Sequence, residues 1–433
     1  MKDPLRICLI GKYPPIEGGV SMQNYWLCRT MAERGHKVFV ITNANEVEDS
    51  FRIYLEVNDH KWIEPKFRLG FVKVKYTDPP NKRYIHIPFG NPFITKLTSL
   101  ALETIRKHKC NVIDASYLEP YSIVAYLASK WTGTPYIVRP AGSDIKRLIK
   151  IDQLRPTYTE VLKNAHLIVS KPRIQKILIN LGINQGKIYP MFSFWLPKKF
   201  FNNHIDPLDI NQFFSLLSIN NEDYVKNILK WSVDPIDLSL PTIGHYGKVG
   251  TIKGSIDLVK ALGHLKQKGL KFNFLCLSHG FIKEEDTFRR KIKEVGIESE
   301  TRILPFLPHW RIPSFIRSCL AICYLERGFP ILSHRSPIPM EVLLCGVCLV
   351  LSKEVVQKQA FRDELLSNKN CLIIENPENI EELERNLERV ILNPKLARLI
   401  GVNGGLVVKN FKDINKTTFN YEKLLKIVVS NCT

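Results

Sequence analysis

Lys248 and Lys253 lie within a glycine-rich stretch, Gly247-Lys248-Val249-Gly250-Thr251-Ile252-Lys253-Gly254, and positive charge beside pliable backbone is chemistry that grips a phosphate. Glycines let the main chain approach a ligand closely. A helix that follows such a turn offers unpaired N–H groups, and the two ammonium groups add full charge. The stretch is not a Walker loop, because no Gly-Lys-Ser/Thr closes it. It is not GxGxxG either, since Gly244, Gly247 and Gly250 recur at every third position. A solvated turn with two surface lysines satisfies the same spacing, so the stretch alone leaves both readings open.

Elements on either side favour the anion reading. Residues 241–246 read as a strand and 255–268 as a helix, so the lysines fall on a strand-to-helix turn. The same rhythm runs through most of the chain. In the first half, strands are expected at 6–10, 37–42, 71–76, 84–87, 111–115, 136–139 and 167–170. Helices fall between them, one capped by Ser21 and ending at Gly35, others at 92–108 and 121–131. In the second half, strands are expected at 242–246, 272–277, 302–304, 320–325 and 347–351. Helices there fall at 255–268, 283–295, 312–318, 341–345 and 417–429. Alternation of this kind predicts α/β domains with doubly wound parallel sheets. It stops over 192–240, a segment rich in Asn, Asp, Pro and Phe with a helix expected near 223–231. The predicted division is therefore 1–191, a linker with insertion at 192–240, a second domain at 241–410, and a terminal helix at 411–433 that packs back on the first domain. A ligand cleft is expected between facing carboxyl ends of the two sheets.

The chain has 433 residues, enough for two or three cores, and a formal net charge of +20. Residues 1–200 hold 31 Lys and Arg against 16 Asp and Glu, so the excess is concentrated in the first half. A basic half implies an anionic partner, whether nucleic acid, an anionic membrane surface or a phosphorylated substrate. No zinc-finger or RNA-recognition signature appears, so nucleic acid is not the expected partner. The ten cysteines form no secreted-type framework. Cys319, Cys323, Cys345 and Cys348 sit in apolar runs, where buried thiols in a reducing cytosol are expected rather than zinc ligands. No apolar run is long enough to span a bilayer, and the reading is cytoplasmic.

A second glycine turn, Gly11-Lys12-Tyr13-Pro14-Pro15-Ile16-Glu17-Gly18-Gly19-Val20, follows the first strand. Gly18 and Gly19, just before a helix, suit close approach of a phosphate or sugar. Four features, this turn among them, make the chain resemble glycosyltransferase family 4, whose two-domain α/β fold is called GT-B. The stretches are Pro14–Val20, Arg34-Gly35-His36-Lys37-Val38, Gly247-Lys248-x4-Lys253-Gly254, and Leu325-Glu326-Arg327-Gly328-Phe329 with Glu341-Val342-Leu343-Leu344-Cys345-Gly346-Val347. The resemblance implies transfer of a sugar, with retention, from a nucleoside-diphosphate donor to an acceptor hydroxyl in surface polysaccharide or glycolipid assembly. It implies that Lys248 and Lys253 contact the diphosphate, that Glu341 accepts from the ribose hydroxyls, and that Glu326 lies near the donor sugar. Gly18, Gly19 and His279, in Ser278-His279-Gly280, join the donor site. No metal or other cofactor is implied, and the chain contains no Asp-x-Asp. A nucleotide-sugar epimerase of the same fold shares these features and stays open as an alternative, as does a basic nucleic-acid-binding protein.

Two departures from the family stand out. Glu326 and Glu341 are separated by fourteen residues, twice the usual spacing, and the intervening proline-bearing loop holds His334 and Arg335. His334 is therefore a candidate for the donor pocket in place of Glu326. In the first half, where many relatives carry a histidine, this chain reads Val138-Arg139-Pro140-Ala141-Gly142-Ser143-Asp144-Ile145. Arg139, Ser143 and Asp144 become acceptor-side candidates, with an Arg139–Asp144 pair as the plain structural alternative. Finally, eleven Lys and Arg against three Asp and Glu lie between Lys61 and Lys109, interleaved with aromatics. Phe93, Leu97, Leu100 and Ile105 could form an apolar stripe there. Peripheral docking on an anionic membrane, toward a lipid-linked acceptor, is one expectation; a core-facing helix is the other.

Overall fold

The computed structural model describes residues 4–79, 91–191, 196–218, 234–279, 281–330, 335–411 and 413–432. These divide into two compact units, residues 1–195 with 413–433, and residues 196–412.

The first unit is built on seven parallel strands: β1 Arg6–Ile10, β2 Lys37–Thr42, β3 Phe71–Tyr76, β4 Val112–Ser116, β5 Tyr136–Arg139, β6 Leu167–Ser170 and β7 Ile188–Pro190. Their order in the sheet is β3-β2-β1-β4-β5-β6-β7. Runs such as Val38-Phe39-Val40-Ile41 are apolar at every position because helices cover both faces. The second unit repeats the plan with six strands: β8 Thr242–Lys248, β9 Asn273–His279, β10 Thr301–Leu304, β11 Ala321–Tyr324, β12 Cys348–Ser352 and β13 Leu372–Ile374, ordered β10-β9-β8-β11-β12-β13. Each sheet thus reverses its order beside its first strand, between β1 and β4 and between β8 and β11. Open parallel sheets bind ligands outside the carboxyl ends of their strands at such reversals.

The doubly wound reading holds in both units. β8 runs two residues beyond the predicted end, so that Lys248 closes the strand, and β7, β13 and the helices Ile380–Leu392 and Pro394–Val408 were not foreseen. The three-residue β7 and β13 are too short to leave a pattern. Ser21 does not cap its helix, which starts two residues earlier at Gly19 with Gly18 at the cap position. The strand expected at 84–87 and the helix near 223–231 lie outside the described residues. What is described of the supposed linker packs on the second unit: Leu208 N–H donates to Ser314 O at 3.0 Å, and Asn211 exchanges side-chain bonds with the Ile236 backbone.

The terminal helix Ile414–Ser430 packs on the first unit. Glu422 accepts from Arg34 Nε at 2.6 Å and faces His36 Nε2 at 3.3 Å, while Thr418 and Thr30 share a 2.7 Å hydroxyl contact. His36 Nδ1 accepts from Leu5 N–H at 3.0 Å, which leaves Nε2 to carry the proton. The Arg34-Gly35-His36 stretch therefore works as an anchor for this helix. The helix Phe93–His108 turns its apolar side inward: Leu97 and Ile105 lie in the core and Leu100 packs against it. Of the two readings of the stripe, the core face is the one found for Leu97, Leu100 and Ile105, which pack with β-sheet side chains such as Phe39 and Ile113, while Phe93 is exposed. Among the described residues no helix is long and apolar enough to cross a membrane.

Candidate functional site

In the second unit the order reversal collects the charged residues singled out from the sequence. β8 ends at Lys248, which is exposed, with its ammonium 5.7 Å from the Phe281 ring. The chain then turns through Gly250 into the short turn Thr251–Lys253 and the helix Ser255–Gln267. Ser255 fixes the turn, its Oγ accepting from Gly250 N–H at 2.8 Å. Gly254 has φ +68°, and a Cβ there would stand 2.3 Å from the Leu325 carbonyl oxygen. Only glycine lets the turn close this tightly on the strand beside it. That strand is β11, and the segment leaving it carries Glu326. Because β8 and β11 are neighbours, Lys253 in the turn after one and Glu326 just after the other meet in an ion pair.

Glu326 is buried, 1% exposed, and such a carboxylate needs partners. Besides Lys253 it has Tyr324 Oη, donating at 3.2 Å, and Lys358 Nζ at 3.4 Å. Its own carbonyl accepts from Ser352 Oγ, which ties the segment to β12. Arg327 is held by Asp257 Oδ2 at 3.0 Å and by the Ile252 carbonyl. Glu354 accepts from the N–H groups of Gly328 and Phe329 and pairs with Lys358. Burial acts to raise the Glu354 pKa, but the Lys358 ammonium and the two N–H groups more than offset it, and the carboxyl is held below its usual range.

Glu341 stands in the first turn of the helix Ile338–Leu344 and is also buried. One oxygen accepts from Tyr246 Oη at 2.6 Å and the other faces His309 Nε2 at 2.9 Å. The Tyr246 hydroxyl is pushed well above its ordinary pKa by burial and by this carboxylate, so it stays a donor. An ionised carboxylate has about four lone-pair directions, so these two bonds leave acceptor capacity for further hydroxyls. His245, one residue before Tyr246 on β8, points the other way and is buried; burial lowers its pKa to about 4, so the imidazole is neutral at pH 7.

Several candidates are not part of this arrangement, and several members of it were not anticipated. His279 closes β9 in register with Lys248. His334 lies outside the described residues. Gly18 and Gly19 form an exposed turn in the first unit with no heavy atom within 4 Å of an added Cβ at either. Arg139, an acceptor-side candidate, is placed in the scaffold: its guanidinium donates to Asp114 at 2.8 and 3.0 Å and to Asn24 at 2.9 Å, inside the unit. Its carboxylate partner is Asp114, not Asp144. Tyr421 of the terminal helix donates to the same Asp114 at 2.7 Å. Asp144 is scaffold too, accepting from the backbone N–H groups of Leu118, Ala141, Gly142 and Ile145. Ser143 opens the helix Ser143–Leu148. Lys358, Glu354, Tyr246 and His309 escaped the sequence reading, because nothing in their spacing connects them to Glu326 or Glu341. The Glu354–Lys358 spacing of four was a faint signal, common to any exposed helix.

All ten cysteines are free and nine are buried. Burial pushes Cys319 and Cys345 well above the ordinary thiol range, which keeps them protonated. Among the described residues no group of three or more His, Cys, Asp or Glu side chains is placed to hold a metal ion.

Comparison with known proteins bears on this geometry. Residues 233–405, which include both lysines and both glutamates, match the family described as glycosyl transferases group 1. Over nearly its full length the chain is similar to solved structures at low identity. The sucrose-phosphate synthase of Thermosynechococcus elongatus is 13% identical, with a TM-score of 0.61 and coverage of 99% of this chain and 100% of that one. HepE of Anabaena, solved in complex with UDP-glucose, is 15% identical, with a TM-score of 0.58 and coverage of 96% and 99%. The catalytic domain of starch synthase IV from Arabidopsis thaliana, bound to ADP and acarbose, is 13% identical, with a TM-score of 0.59 and coverage of 99% and 100%. No curated protein matches the sequence. At these identities the likeness establishes the fold, which is GT-B, as the motifs led one to expect.

Proposed function

We propose, from the match of residues 233–405 to the glycosyl transferases group 1, that the chain moves a sugar from a nucleoside diphosphate to an acceptor hydroxyl with retention. One observation carries the donor assignment. The glycine turn that ends in Lys253 leaves the carboxyl end of β8 and the segment with Glu326 leaves that of β11, beside the reversal in strand order, and Glu341 is tied to the same place through Tyr246 of β8. In this reading Lys253 and Lys248 hold the diphosphate and Glu341, braced by Tyr246 and His309, accepts from the ribose. As the bond from the anomeric carbon to the phosphate oxygen breaks, negative charge grows on the diphosphate. Lysines fixed beside it stabilise that charge more in the transition state than in the ground state. The acceptor oxygen bonds to the anomeric carbon on the same face, and its proton passes to the departing phosphate oxygen.

The acceptor is assigned to the first unit, with its excess of positive charge. Membrane attachment toward a lipid-linked acceptor of surface polysaccharide or glycolipid assembly now rests on exposed charge alone, at Lys61, Lys66, Arg68, Lys73, Arg106 and Lys107. Liposome co-sedimentation tests it: binding should require anionic lipid and fade with salt. Turnover is expected to persist in EDTA, since the lysines supply the charge; a complete loss restored by a divalent ion would refute this.

A thermal-shift screen with UDP, GDP, ADP and their sugars identifies the donor, because a ligand of the native state raises its apparent stability. UDP-glucose, the ligand in the HepE complex, is a rational first member. Proton NMR of the product then reads the anomeric configuration. Stabilisation by none of these nucleotides would sink the donor assignment, and an inverted product would sink retention.

A further inference from the structure

A second ammonium is buried beside Glu326, at the end of a helix that no motif marks. Lys358 closes the helix Lys353–Lys358 after β12, and its side chain is 6% exposed. A lysine so placed requires carboxylates, and it has Glu326 Oε1 at 3.4 Å and Glu354 one turn earlier. The other oxygen of Glu326 meets Lys253. Both ammonium groups lie over the Phe329 ring, Lys253 at 4.0 Å and Lys358 at 5.3 Å from its centre. Glu354 accepts from the Gly328 and Phe329 N–H groups, the latter at 3.1 Å. The contacts therefore close a ring, from Glu326 through Lys358 and Glu354 to the Gly328–Phe329 backbone and along the chain back to Glu326.

With Lys253 counted beside it, charge in that ring is balanced, two ammonium groups against two carboxylates. Without Lys358 it would carry a net negative charge at the place where a diphosphate has to approach Lys253. In poorly hydrated surroundings such an imbalance acts strongly over a few ångströms. We propose that Lys358 is a positioning residue of the donor site: it shares the charge of Glu326, so that Lys253 retains an ammonium to offer a diphosphate, and with Glu354 it fixes the backbone of residues 326–329. The proposal rests on the donor reading of Lys253 given above.

Calorimetric titration of the full chain with UDP, GDP and ADP, and with the corresponding monophosphates, tests it. Lys358→Met should weaken the best diphosphate about tenfold or more and the monophosphate less. Glu354→Gln should tighten the diphosphate, and the double variant should return close to wild type, because its ring is neutral again. Lys358→Arg should retain most of the affinity. Scaffolding alone predicts no rescue, so a double variant no better than Lys358→Met overturns the proposal. Wild-type affinity in Lys358→Met does so too. If Lys358→Met fails to fold, Glu354→Gln decides, and unchanged or weaker diphosphate binding is then the contrary result. Failure of the donor reading looks different: the wild type binds no diphosphate, or Lys253→Met binds as tightly as wild type. Sensitivity to Lys253 without sensitivity to Lys358 removes the present proposal alone.

Discussion

The two sheets share one strand order through six strands, yet the charges gathered near their order reversals serve different ends. In the first unit the charge is in the strands. Asp114 of β4 and Arg139 of β5 satisfy each other, Asn24 and Tyr421 take up further bonds, and the glycine turn itself carries only Lys12 and Glu17. In the second unit Lys248 closes β8 with its side chain exposed, and Lys253, Glu326 and Glu341 lie on the segments that follow the strands. Topology supplies the location in both cases. Whether a charge there faces the interior or a ligand depends on which element holds it, and a turn can offer what a strand must bury.

Removing Arg139 is the sharpest way to break this contrast. Arg139→Met should cost about 3–5 kcal/mol of stability, since Asp114 stays buried with its cation gone. Thermal or denaturant unfolding reads it, and a loss near zero would contradict the scaffold role.

The two turn glycines provide the next comparison. Gly254→Ala has to fit a Cβ 2.3 Å from the Leu325 carbonyl at φ +68°, and should cost about 2–4 kcal/mol. Gly18→Ala meets open space, so only its φ of +107° opposes it, for about 1–3 kcal/mol. Unfolding of both variants under one set of conditions gives the ranking; equal losses would mean that contact across the turn does not matter.

Acid should act on the two units through different groups. His245 in the second unit has a folded pKa of about 4 against an ordinary value near 6.5. Between those values the unfolded chain binds the extra proton, so stability falls as pH drops from about 6.5 to 4. His245→Gln should flatten that part of the curve. In the first unit, burial would raise Glu422, but Lys426, Arg34 and His36 more than offset it and hold the carboxyl low. Its contribution is present above the ordinary carboxyl pKa and is lost as pH falls below about 4. Glu422→Gln should therefore lower Tm by a few degrees at pH 7 and differ little from wild type near pH 3. A Tm gap that persisted in acid would show that Glu422 acts through packing.

Much of the fold could be read from the sequence, because strands buried on both faces are continuous apolar runs and glycine turns mark their ends. Lys253 and Glu326 were legible because each lies in a motif shortly after a strand, but their meeting was not foreseen. Lys358 was not, since its role arises from the ring it closes with residues distant in sequence. The partner of Arg139 was not legible, because a strand-end arginine looks alike whether its carboxylate lies inside or arrives with a ligand. Asp114 gave no hint, being one acid within an apolar strand, and the Tyr421 bond spans most of the chain length. The apolar stripe on Phe93–His108 left a membrane face and a core face open, and Leu97 and Ile105 face the core while Phe93 stays exposed, a choice that periodicity alone cannot make.

The central claim is that charge on the second unit's turn is for a diphosphate while charge in the first unit's strands is for the fold. Nucleoside-diphosphate affinity of Lys253→Met, measured by calorimetry beside its ligand-free Tm, tests this most directly. The account predicts a Tm within a few degrees of wild type and an affinity reduced by about 30-fold or more, the equivalent of 2 kcal/mol or above. Wild-type affinity for the diphosphate in a folded Lys253→Met variant would contradict it.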